Sequence, residues 1–329
     1  MVPEPSKICR FKSDLDALVS PDARVGIAVS GGADSLALLL LAAAVRPGKI
    51  EAATIDHRLR PESRDEAEMV ARVCAKLGVS HAVLSAEWVK KPVTAIQERA
   101  REQRYRLLTR WALARNLDAV ATAHHLDDQA ETLLMRLARG AGVRGLSGMR
   151  PISTLPRTDI ILVRPLIAWR HADLEEVCAA ADLSPVRDPS NEDCRFERVR
   201  VRRVLADTGL LDASALALCA ANLAEAEIAL EWATNQEWER QVVNGAKEVI
   251  YRPDGAPPEI ARRLVSRAVL MLATEGQQAD LRGKELDRLL AALAAGDIAT
   301  LRGVQCSGGI EWRFSQAPPR KRQADQTRQ

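Results

Sequence analysis

The side chains best suited to chemistry fall in a few short strings. Ser30-Gly31-Gly32-Ala33-Asp34-Ser35 brings two hydroxyls, two glycines and a carboxylate together. Glycines admit positive φ and let phosphate oxygens approach the main chain. The start of a helix aims free N–H groups at an anion. No lysine follows the last glycine, so the string is not a G-x-x-x-x-G-K-S/T loop, and G-x-G-x-x-G is also missing. Asp34 lies directly behind the phosphate donors. A carboxylate there is repelled by a triphosphate unless a magnesium ion lies between them; the plainer alternative is a helix-capping aspartate.

Further along, Asp128 and Glu131 share a face if their segment is helical. Such a pair could bind a cation, a metal or an amine, or simply complement a helix N-terminus. His124 and His125 are adjacent, so on extended chain they point to different sides and do not chelate together. At most one of them faces a ligand. His57, beside Asp56, is the stronger functional candidate. Arg101 and Arg104 either grip phosphates or carboxylates through a planar fork or pair with Glu98 and Glu102 on a helix surface. Arg195, Arg198, Arg200, Arg202 and Arg203 crowd one stretch, which suits either a polyanion or a solvated face.

These residues need a frame, and the chain predicts one. Val25 to Val29 is apolar and β-branched, a buried strand, and Leu36 to Val45 is a run of strong helix formers. Lys49 to Ile55, Val79 to Leu84 and Ala119 to Ala123 read as further strands. Helical spacing at Ala67, Val70, Cys74 and Leu77, a long helix from about Thr94 to Arg115, and one from Asp127 or Asp128 to about Arg139 separate them. Strands alternating with helices predict an α/β, doubly wound parallel sheet. Ligands bind such a sheet outside the carboxyl ends of its strands. The strings at Ser30, Asp56 and His124 all fall at those ends.

Arg139 to Gly148 is glycine-rich and predicts a loop. A strand pair over Ile152 to Val163 and a helix from His171 to Ala181 follow, then a turn at Asp188-Pro189. Beyond about Leu210 the composition shifts to alanine- and leucine-rich helices at Ala213 to Gln241, Pro258 to Thr274 and Leu281 to Ala295. They are interrupted by Lys247 to Arg252 and followed by strand-like pieces at Ala299 to Cys306 and Ile310 to Phe314. The expected organisation is a catalytic domain over 1–208, a second, mostly helical C-terminal domain with a small sheet over 209–317, and a basic, disordered tail over 318–329.

The 329 residues are 47% hydrophobic and 28% charged, the profile of a soluble globular protein. The longest apolar run, Leu36 to Val45, is about half of what a membrane span needs. No signal core opens the chain, so the expected location is cytoplasmic, with no membrane partner. Six scattered cysteines form no C-x-x-C pair, which excludes a zinc ribbon and a redox motif and predicts free thiols. A net charge of +3 is too mild to announce nucleic-acid binding on its own.

Ser30 to Ser35 resembles S-G-G-x-D-S, the pyrophosphate loop of the N-type ATP pyrophosphatases (the PP-loop family), which activate an oxygen as an adenylate and let a nucleophile displace AMP. Within them the chain resembles the bacterial tRNA-isoleucine lysidine synthetases. Besides the loop, the matching strings are Asp56-His-Arg-Leu-Arg60 with Ser63, Arg101 to Tyr105, His124 to Asp128 with Glu131, Arg139 to Gly145, Arg164-Pro-Leu166, and Asp188 to Asn191 with the arginines after it. They run in order from about Arg24 to Leu205; beyond Leu210 the likeness is looser.

The resemblance implies an ATP-dependent ligase. It adenylates the C2 oxygen of the wobble cytidine in an isoleucine tRNA with a CAU anticodon; the ε-amine of free lysine then displaces AMP, giving lysidine. By matching position, ATP lies on Ser30, Gly31, Gly32, Ala33, Asp34 and Ser35, with magnesium at Asp34 and adenine near Ile55, Asp56 and His57. Asp128 and Glu131 receive lysine's ammonium, and Arg104 lies near the cytidine. Arg101, Arg195, Arg198, Arg200 and Arg202 are the tRNA candidates. No obligate protein partner is implied. Thiolating relatives need cysteine pairs, which this chain lacks. Two rivals remain: a PP-loop enzyme that amidates a small molecule, and a nucleotide-gated RNA-binding protein without chemistry.

Overall fold

The computed structural model describes residues 2–58, 63–88, 96–186, 193–209, 211–273, 281 and 283–318. The chain divides into two compact units, Met1–Ala224 and Glu225–Gln329. In the first, α1 (Pro5–Asp16) precedes β1 (Val25–Ala28), α2 (Ala33–Val45), β2 (Ile50–Asp56), α3 (Ser63–Leu77), β3 (Ser80–Ser85), α4 (Ile96–Ala114) and β4 (Ala119–Ala121). Then come α5 (Leu126–Leu137), α6 (Val143–Leu146), β5 (Ile152–Thr154), β6 (Ile161–Val163), α7 (His171–Ala180) and α8 (Glu197–Thr208).

The sheet order is β3-β2-β1-β4-β6-β5, parallel except for β5, which pairs antiparallel with β6 at the edge. Strand alternation divides its side chains between two cores. Val25, Ile27, Val29 and Ala52 pack with α2 and with Trp169, whereas Ala53, Val120 and Leu162 pack with Leu108 and Trp111 of α4. Because α2 is apolar on every side, it can be enclosed; Leu36 to Ala42 are at most 1% exposed. Gly26 is required by the second core. A Cβ on it would come within 2.6 Å of the Trp111 ring, closer than packed atoms approach.

α9 (Ala213–Gln241) carries the chain into the second unit. That unit contains β7 (Val242–Asn244), β8 (Glu248–Tyr251), α10 (Pro258–Leu272), α11 (Gly283–Ala294), β9 (Ile298–Leu301), β10 (Val304–Ser307) and β11 (Trp312–Gln316). Its antiparallel sheet, ordered β7-β8-β11-β10-β9, packs Tyr251 and Phe314 with Leu264 of α10 and Leu293 of α11. Among the described residues, α9 is the one helix long and apolar enough to cross a membrane by length and composition. In the second unit its Glu227 is buried against Arg263 at 2.6 Å.

Two local expectations change. The cap of α5 is His125, not Asp127 or Asp128. Asp128, at the third position of the helix, accepts the His125 N–H at 3.1 Å. Asp127 instead accepts the N–H of His171 at 2.8 Å, binding α5 to the start of α7. The glycine-rich stretch holds a short helix, α6, secured by Arg136, which donates to the carbonyl of Gly145 at 2.6 Å. The Asp188-Pro189 turn, Leu59-Arg60 and the basic tail from Pro319 onward lie outside the described residues.

Candidate active site

The carboxyl ends of β2, β1 and β4 are neighbours, so the Asp56, Ser30 and His124 strings meet on one edge. At the centre, β1 turns into α2. Gly31 takes φ +90, open to glycine without strain, and its carbonyl accepts the N–H of Val186 at 3.0 Å. Ser35 Oγ accepts the Ser30 N–H at 3.1 Å and donates to the Gly32 carbonyl at 3.0 Å, closing the loop on itself. Gly32 caps α2 without a side-chain bond, which leaves the helix's first N–H groups for an anion.

Two cavities flank this turn. The first, of about 460 Å³, is walled by Ser30, Gly32 and Ser35, by Ile55 and His57 at the end of β2, by Arg104 of α4 and by His124. His57 is held neutral, its pKa lowered first by burial and then by Arg104. Burial, with Arg164 and other arginines adding, pushes His124 down to about 3. Asp56 is not part of this wall: its carboxylate accepts the Arg58 N–H at 2.8 Å and the Ser63 hydroxyl at 2.7 Å, shaping the turn after β2.

The second cavity, of about 900 Å³, shares Gly32 and Asp34 with the first and opens along the N-termini of α5 and α7. Asp34 is its hinge. One oxygen lies 2.7 Å from His171 Nδ1 and the other 3.6 Å from His125 Nε2. Burial works against the Asp34 charge, but the two histidines pull its pKa well below the carboxylate range. Burial also works against a charged His125, yet Asp127, Asp34 and Asp128 outweigh it and push it up to about 10. The adjacent histidines thus serve different cavities: His124 faces the first and His125 the second.

Glu131 is 1% exposed and Asp128 lies one turn before it. Neither is vacant. Arg198 reaches both carboxylates, and Arg202 donates to Glu131 at 2.7 Å. The arginine cluster therefore splits. Arg198 and Arg202, four apart on α8, turn to the carboxylates of α5 although their side chains stay 42% and 52% exposed, whereas Arg195 pairs with Asp193 at 2.6 Å and remains 88% exposed. Arg200 donates to the carbonyls of Cys194 and Arg195. Arg101 does not join Arg104 at the first cavity; it is exposed and its guanidinium lies 5.0 Å from the Tyr105 ring.

Sequence reasoning missed His171 and Arg170, which line the second cavity. His171 follows Asp34 by 137 residues and belongs to no local motif; being one of only five histidines and opening a predicted helix was the available signal.

Residues 6–208 match the PP-loop domain family. The chain is 47% identical over 311 residues to the tRNA(Ile)-lysidine synthase of Novosphingobium aromaticivorans, covering 94% of this chain and 93% of that one. It is 41% identical over 301 residues to the protein of the same name from Zymomonas mobilis, covering 91% and 90%. The chain belongs to the tRNA(Ile)-lysidine synthase family. Among solved structures it resembles the U34-tRNA thiolase NcsA of Methanococcus maripaludis, with a TM-score of 0.56 and 16% identity over 67% of this chain and 77% of that one. At that identity the likeness concerns the fold alone, and the family is the one that the ordered strings from Arg24 to Leu205 implied.

Proposed function

We infer that the chain is an ATP-dependent ligase that joins lysine to C2 of the wobble cytidine in an isoleucine tRNA with a CAU anticodon. The supporting observation is the phosphate-binding turn held between two cavities that share Gly32 and Asp34. One cavity suits a nucleotide, with free helix N–H groups, two hydroxyls, the apolar Ile55 and a neutral His57. The other is rich in carboxylates and suits an amine. A nucleotide in one and an amino acid in the other would meet at the turn.

In this reading the cytidine C2 oxygen attacks the α-phosphorus of ATP and pyrophosphate leaves. The uncharged ε-amine of lysine then attacks C2, AMP departs with the oxygen, and the nitrogen, positively charged after attack, releases one of its two protons. Ser30, Gly31, Gly32, Ala33 and Ser35 hold the phosphates. Ile55 and His57 bound the adenine; Asp56 acts on them through the turn it shapes. Arg104, open to the first cavity, is assigned to the cytidine or its adenylate. Asp34 fits the one-carboxylate share typical of a magnesium ion that completes its shell with phosphates and water. When bound, such an ion neutralises phosphate charge.

Asp128 and Glu131 are assigned to lysine. Their pairing with Arg198 and Arg202 means that the ammonium must share or displace a guanidinium, so those arginines tune the amine site. Arg195, Arg200 and Arg101 remain candidates for tRNA. Work on tRNA assigns the protein to the cytoplasm. The test is product mass: a CAU-anticodon isoleucine tRNA transcript, ATP and labelled lysine should give one lysine on one cytidine, with AMP released. Lysine-independent tRNA binding without pyrophosphate release would overturn the reading.

A further inference from the structure

The environment of Asp34 holds more than a magnesium-ATP site requires. Its carboxylate, His125 and His171 offer three donor atoms within 4.8 Å of one another. These come from the first residues of α2 and α7 and the cap of α5, so the fold assembles them from three distant stretches. Donors around a four-coordinate zinc lie about 3.3 Å apart, given bonds of roughly 2.0–2.1 Å. Here one Asp34 oxygen is 2.7 Å from His171 Nδ1 and the other oxygen is 3.6 Å from His125 Nε2. The His171 side chain is 46% exposed.

A second observation is independent of that spacing. Histidines that bind metals usually direct their other ring nitrogen at a carboxylate, which fixes the tautomer. Both histidines here do so. His125 Nδ1 lies 3.4 Å from Asp127, and His171 Nε2 lies 3.6 Å from Glu175. His125 is only 3% exposed, yet its Nδ1 makes no hydrogen bond of good geometry. A metal at Nε2 would fix the proton on Nδ1, facing Asp127. The surrounding cavity carries five carboxylates against two arginines, a field that favours a cation. Imidazole donors suit zinc, cobalt or nickel and not magnesium.

We propose that Asp34, His125 and His171 form a binding site for a divalent transition-metal ion of the zinc and cobalt class. Three protein donors leave a fourth position for water or a ligand, which opens on the second cavity. Because Asp34 is common to this site and to the magnesium-ATP reading, occupancy by such an ion withdraws Asp34 from the nucleotide. The proposal stands without the ligase reading, since it needs neither ATP nor tRNA.

The test uses the full, untagged chain stripped with a chelator and kept free of nucleotide. Cobalt(II) is titrated in and followed by its visible absorption, and zinc by calorimetry. One equivalent should bind, with the absorption of a four- or five-coordinate nitrogen–oxygen site. His171→Ala, at a half-exposed position that folding tolerates, should weaken binding about tenfold or more. His125→Ala should do the same if it folds, and His81→Ala should have no effect. Absence of binding would overturn the proposal. So would unchanged binding in His171→Ala, which would place the metal elsewhere, or a thiolate-type cobalt spectrum, which would place it on the cysteines.

Discussion

The two cavities on either side of the Ser30–Ser35 turn are built differently. The first is made where neighbouring parallel strands end. Most of its wall comes from residues in or next to β1, β2 and β4, with Ser63 and Glu66 of α3, Arg104 of α4 and Val186 added. The second is made where helices begin: α2, α5 and α7 bring their N-terminal residues together, and α8 supplies Arg202. Strand-end residues inherit their position from the sheet register, which pairs Ala28 with Ala53 and Ile27 with Ala121. Helix-start residues depend on the packing of α7 against α2 and of α8 against α5, which no short motif encodes. The first cavity is therefore built as a rigid edge, and the second as an electrostatic junction of carboxylates, histidines and arginines whose charges hold one another.

If that contrast is sound, variants should separate the two half-reactions. The largest effect belongs to Asp34, which borders both. Asp34→Ala should lower ATP-dependent pyrophosphate release by a hundredfold or more, roughly the loss of an interaction worth about 3 kcal/mol, while tRNA affinity in a filter-binding assay stays near wild type. Equal loss of both would show that Asp34 merely holds the fold.

Glu131→Gln comes next. It removes the charge that faces Arg198 and Arg202, and losing a charged hydrogen bond of this kind costs about 2 kcal/mol. The KM for lysine should rise about tenfold or more, with the ATP KM nearly unchanged. Parallel rises in both would erase the distinction between the cavities.

Replacing Arg195 and Arg200 together by alanine should weaken tRNA binding and reduce the slope of log affinity against log salt by about one to two units. Arg198→Ala should instead act on the lysine KM. An unchanged slope in the double variant would return Arg195 and Arg200 to the solvated surface.

The smallest effect is reserved for His57. His57→Gln should raise the ATP KM severalfold and leave the lysine KM alone. It should also alter acid stability. The folded pKa of His57 lies below the unfolded value of about 6.5, so the unfolded chain binds the extra proton and stability falls as pH drops below that value. The variant should therefore lose less melting temperature between neutral and mildly acid pH than the wild type. A steeper acid loss in the variant would contradict the direction of the shift.

The alternation of strand and helix from Val25 to Ala121 was legible because each element repeats its own period, and the S-G-G-A-D-S turn because glycine and hydroxyl chemistry is local. The cap of α5 is not legible in the sequence, since Asp127 and Asp128 look like ordinary caps. Only the approach of α7 gives Asp127 the His171 N–H to bind, leaving the cap to His125. The inward half of the arginine cluster was also invisible: Arg198 and Arg202 are one helical turn apart, but a lone helix does not say what it faces.

By itself the sequence determined the parallel sheet, the placing of the Ser30, Asp56 and His124 strings at strand ends and the glycine-serine turn after β1, since periodicity and glycine placement act over a few residues. Tertiary structure alone decided that Asp34 meets His125 and His171, that Asp56 shapes a turn and that Glu131 is already paired. Those contacts join residues as much as 137 positions apart, and their energies depend on distance, burial and neighbouring charge, quantities that exist only once the helices have packed.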